Sequence, residues 1–101
     1  MEKIVTVGKV LSDINRVKIL GLLLRDKELC VCEFCDTLNL SQPLVSRHLK
    51  QMKESGMITS KQEGKWVIYS LPDTQDKIVN CCLSEIKKVA DDLPRIITCS
   101  R

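Results

Sequence analysis

The apolar positions of this chain change their period several times, and each change marks an element. Ser12-Asp13 offers an N-cap, after which Ile14, Val17, Leu20 and Leu24 recur at helical spacing. A short helix over about 3–11 precedes it. Val31, Phe34 and Leu38 repeat the spacing and predict a helix over about 29–38. Asn39-Leu40-Ser41 breaks the pattern. Ser41 then caps a helix with Pro43 in its first turn, where a missing N–H costs little, and Gly56 is a natural C′ residue for its end. Beyond Gly56, Met57-Ile58-Thr59-Ser60 and Lys65–Leu71 carry β-branched and aromatic residues around the turn Lys61-Gln62-Glu63-Gly64, predicting a β-hairpin closed by Pro72-Asp73. Helical spacing returns over about 74–93, with Val79, Cys82, Leu83, Ile86, Val89, Ala90 and Leu93 in one stripe.

This order predicts a mainly α chain with a β-hairpin wing: a single winged helix-turn-helix domain over 1–101. The helix-turn-helix spans about 29–55 and the wing about 57–71. The apolar helices at about 3–11 and 74–93 are expected to pair with a second copy across a two-fold axis. The alternative is that they complete the core of a single copy.

Within the helix at 42–55, Val45, Leu49 and Met52 share one side, while Pro43, Ser46, Arg47 and Lys50 share the other. That division suits a helix anchored on one face and reading DNA with the other. The Arg47 guanidinium matches guanine O6 and N7. Gln42 and Ser46 are candidate readers or phosphate contacts, and Lys50 and Lys53 are candidate phosphate contacts. His48 lies on the border and can hold the turn as readily as touch DNA. Lys61 and Lys65 flank the hairpin turn, placed for backbone or minor-groove contact. Trp66 and Tyr69 alternate with apolar residues and are expected in the core.

The charge pattern supports a polyanion partner. From Ser41 to Lys65, Arg47, Lys50, Lys53, Lys61 and Lys65 stand against Glu54 and Glu63. From Asp26 to Asp36 the balance is acidic. With 44% hydrophobic and 29% charged residues, the composition excludes global disorder. The longest apolar stretch, Ile19–Leu24, is too short to span a bilayer, and the first residues carry no secretory h-region, so a cytoplasmic location is expected.

Six cysteines in a reducing compartment point to metal or redox chemistry rather than a disulfide scaffold. Three of them crowd into ELCVCEFC. On a regular helix Cys30 and Cys32 diverge by about 200°, and Cys32 and Cys35 by about 60°. The expectation is therefore that three thiolates closing on one ion must unwind the first turn of this helix, making ion capture and DNA reading competing states. Glu28 and Glu33 are expected to raise the thiol pKa values. Cys35 can pack as a small hydrophobe beside Val31 and Phe34, but Cys30 and Cys32 cannot both face the core. A Cys32–Cys35 redox motif lacks its usual βαβ setting. Catalysis is not expected: the single histidine lies in the DNA helix.

ELCVCEFCDTL, LSQPLVSRHLKQMKESGMI and QEGKWVIYSL together resemble the ArsR/SmtB family of metal-responsive repressors, in its arsenic- and antimony-sensing branch, over about residues 10–71. The resemblance implies a homodimer on palindromic double-stranded operator DNA, with no membrane partner and no organic cofactor, released by As(III) or Sb(III). It implies Cys30, Cys32 and Cys35 as ligands and DNA contacts around Gln42, Ser46, Arg47 and His48. A thiol-redox or soft-metal (Cd, Pb, Cu(I)) signal is the alternative. The chain departs from the family's other branches: no cysteine precedes Cys30, and the last helix has no histidine. Asp73, Asp76 and Glu85 make a poor zinc site. Cys81, Cys82 and Cys99 form a possible second cluster, with Cys82 expected to pack.

Overall fold

The computed structural model describes residues 1–73 and 77–97. Five helices and three strands follow one another as α1 (Glu2–Leu11), α2 (Ile14–Asp26), β1 (Glu28–Cys30), α3 (Val31–Leu38), α4 (Gln42–Glu54), β2 (Thr59–Glu63), β3 (Trp66–Ser70) and α5 (Lys77–Ala90). Asp76 and Cys99 lie outside the described residues, as do the first three positions of the expected last helix.

Local signals set most of the boundaries. The Asp13 carboxylate accepts a hydrogen bond from the Asn15 N–H at 2.8 Å and starts α2. Ser41 Oγ accepts one from the Leu44 N–H at 3.4 Å at the start of α4. Asn39, left-handed at φ 56, ends α3, and Gly56 at φ 82 follows α4. In the wing, Glu63 pairs with Trp66 across a two-residue loop whose first residue, Gly64, has φ 60, the conformation such loops favour.

One expected element is corrected. Residues 28–30 do not open the third helix. They form a strand that pairs antiparallel with β3, Cys30 opposite Ile68, so the sheet runs β1-β3-β2. The apolar run Leu29–Val31 suits a buried strand or a buried helix equally by periodicity. Pairing with β3 decides it, because it satisfies backbone groups at a buried Leu29 and Cys30. Cys30 then becomes the extended residue before α3, and its N–H donates to Glu33 Oε1 at 3.0 Å.

The core is centred on Ile19, Leu20, Leu22 and Leu23 of α2, packed with Phe34, Val45, Leu49, Met52, Met57 and Ile58. Ile14, expected on the inner face of α2, is exposed instead. Helix α5 spends most of its stripe on this same core: Val79, Leu83 and Ala90 are buried, and Cys82, Ile86 and Leu93 pack against it. Val89 departs from the expected stripe and is 57% exposed. Arg25 ties the end of α5 to α2, donating to the carbonyls of Ala90 (3.1 Å), Leu93 (2.7 Å) and Pro94 (2.6 Å).

Candidate thiol site and nucleic-acid interface

Because Cys30 is extended and Cys32 lies in the first turn of α3, their side chains converge. The two sulfurs stand 3.4 Å apart, which overturns the expectation that they point to opposite sides of one helix. Cys30 is buried, whereas Cys32 and Cys35 are half-buried. All three line one cavity of about 550 Å³, together with Val31, Asp36, Leu40, Gln42, Lys65, Trp66 and Val67.

Burial pushes the Cys35 thiol up, and the adjacent Asp36 carboxylate adds to that. The carboxylate beside it is thus Asp36. Glu33, expected to raise the thiols from outside, is itself buried and caps α3. No group of three or more His, Cys, Asp or Glu side chains among the described residues is drawn together as a ready-made metal site. The cavity nevertheless gathers three sulfur donors in its lining, two of them in contact, with Asp36 as the one carboxylate beside them. That chemistry fits a soft thiophilic centre and fits hard cations poorly.

The outward face of α4 carries the expected polar set. Gln42, Ser46, Arg47 and Lys50 are exposed, while Val45, Leu49 and Met52 are fully buried. His48 turns inward: it is 4% exposed, with Nε2 3.9 Å from Asp13 Oδ1 and neither ring nitrogen hydrogen-bonded. Desolvation lowers its pKa below 6.5, outweighing the pull of Asp13, so the ring is neutral at pH 7 and the contact is not an ion pair. In the wing, Lys61 is exposed but engaged by Glu28 (2.8 Å) and Glu63 (3.2 Å), and these hydrogen bonds raise its pKa. Lys65 is exposed, with Nζ 5.3 Å from the centroid of the Trp66 ring.

Two of these placements escaped the sequence reading. Trp66, expected in the core, lines the thiol cavity, whereas Tyr69 does pack against the core. The approach of Asp13 to His48 joins residues 35 positions apart, and no local pattern announces it.

A helix held by its apolar side, with a polar and basic outer face, followed by a short antiparallel hairpin, defines a winged helix-turn-helix DNA-binding protein. Residues 13–60 match the model of "Bacterial regulatory protein, arsR family". Over 92 residues the chain is 35% identical to an uncharacterised HTH-type transcriptional regulator of Methanocaldococcus jannaschii, covering 91% of this chain and 96% of that one. This chain belongs to the arsR family of transcription regulators. It is also 48% identical over 63 residues to the arsenical resistance operon repressor of Escherichia coli K12, covering 62% of this chain and 54% of that protein. The chain thus spans about half the length of that relative. Among solved structures, HlyU from Vibrio cholerae N16961 superposes with a TM-score of 0.74 at 30% identity, over 87% of this chain and 91% of that one. Fold and relatives alike are those of DNA-binding regulators, not enzymes.

Proposed function

We propose that the protein is a homodimeric repressor that leaves its operator when As(III) or Sb(III) binds through Cys30, Cys32 and Cys35. The observation that carries this reading is the sulfur pair at 3.4 Å, on the wall of a cavity that also contains Gln42 at the start of α4. The likeness to an arsenical resistance operon repressor supports the choice of ligand. In the capture step, As(OH)3 forms three As–S bonds and loses three As–O bonds. With all three cysteines reduced, three thiol protons leave with the hydroxides as water, and the product is neutral. The sulfur pair takes the ion first, and Cys35 must then come to it from the second turn of α3. This replaces wholesale unwinding with a pull on α3, which packs against α4. Such couplings between ligand and DNA are typically about 1–3 kcal/mol.

Gln42, Ser46, Arg47 and Lys50 on α4, with Lys65 on the wing, form the DNA face in this reading. Lys61 contributes after leaving its carboxylate partners. His48 holds α4 in place from within. Operator gel shifts with graded arsenite test the proposal: release is expected, and full DNA binding at saturating arsenite would refute it. Cys32→Ser should keep operator affinity while losing induction.

A second reading, thiol oxidation as the signal, is favoured by the same sulfur–sulfur contact. Peroxide without arsenite separates the two, because only the oxidative switch releases DNA under that treatment.

A further inference from the structure

We propose that the wing is an output of the thiol site, with Trp66 as the positioning residue that links ion capture to the DNA contact of Lys65. The inference rests on the reading of the three cysteines as ligands.

Three connections join the two regions. Cys30 is the last residue of β1 and pairs with Ile68 of β3, so its backbone belongs to the wing sheet. The cavity that the three sulfurs line is also lined by Lys65 of the hairpin loop and by Trp66 and Val67 at the start of β3. Trp66, only half-buried, supports the Lys65 ammonium on its ring face at 5.3 Å.

Drawing Cys35 toward the sulfur pair changes the shape of a cavity in which the Trp66 ring is a wall. The ring must move with it, and Lys65 loses the platform that aims its charge. A displaced Lys65 gives up a phosphate contact, which is read as a smaller dependence of operator affinity on salt. Release of DNA then has two parts, a shift of α4 and a withdrawal of the wing.

The test is operator binding with and without arsenite, at several salt concentrations, for wild type, Trp66→Leu and Trp66→Phe. Arsenic–thiolate absorbance follows ion binding separately, and circular dichroism follows folding. In the wild-type homodimer, arsenite should lower the salt slope by about one unit for each of the two wings that loses its phosphate contact. Tryptophan fluorescence should also change in step with the absorbance, since this chain has a single tryptophan. In Trp66→Leu, arsenite should still bind, but its effect on operator affinity should shrink by about tenfold, and Trp66→Phe should restore most of it. A folded Trp66→Leu protein that binds arsenite and releases DNA as wild type does would overturn the inference and leave the proposed function intact. If Trp66→Leu does not fold, unchanged wild-type fluorescence and salt slope on saturation with arsenite would overturn it instead. Absence of the arsenic–thiolate band in wild type would overturn both.

Discussion

Two sulfurs two residues apart touch only if the backbone between them departs from the helix, and Cys30 meets that condition at φ −94 and ψ 168. The sequence shows three thiols but not that one of them ends a strand. His48 is a similar case. It shares a helix with Arg47 yet sits on the buried side, held away from water near Asp13. Its pKa is lowered below 6.5 mainly by desolvation. The unfolded chain therefore takes up a proton near pH 6.5 while the folded chain resists, so the stability from a neutral His48 is complete above that pH and falls as pH drops through it. His48→Gln should flatten the decline in thermal midpoint between about pH 7 and 5.5, measured against wild type. Asp13 titrates in a separate window: its pKa is lowered below 3.8, so its contribution is lost only in strong acid. Arg47 faces outward, and Arg47→Ala should cost about 1–3 kcal/mol of discrimination at one base pair per half-site, read by competition against mutated operators.

At the scale of elements, caps and turns were legible because their chemistry is local. Ser41, Pro43 and Gly56 bound α4 where the pattern places it, and Gly64 turns the hairpin. Strand β1 was not legible, since three residues carry too little periodicity to separate a strand from a helix start. Its partner lies in β3, far along the chain. The clamp on α5 is equally non-local. Arg25 meets the Ala90, Leu93 and Pro94 carbonyls where a helix end leaves acceptors open. Arg25→Ala should cost about 1.5–3 kcal/mol in denaturant unfolding, because charged donors to carbonyls are lost at one place. Arg25→Lys should recover only part of that, having one ammonium for a guanidinium that reaches three carbonyls.

For the whole molecule, the apolar stripe of α5 was expected to serve a second copy, yet much of it closes the core of its own chain. What remains outside is Ile4 and Val5 on α1, both more than half exposed, with Val89 and Ile78 on α5. For the proposed homodimer, we infer that these four residues form the surface between the two copies. Val89→Glu should shift the protein toward monomer in sedimentation and weaken operator binding at low protein concentration, with little change in single-chain stability since the side chain is already exposed. No helix among the described residues is long and apolar enough to cross a membrane.

Sequence alone determined the order of helices and hairpin, the polar face of α4 and the presence of three closely spaced cysteines. These depend on periodicity, capping and residue type, which neighbours in the chain supply. Tertiary structure decided that Cys30 meets Cys32, that His48 turns inward, and that Trp66 and Lys65 of the wing share a cavity with the thiols. Each of these depends on a partner dozens of residues away, brought close only when the sheet and the core have formed.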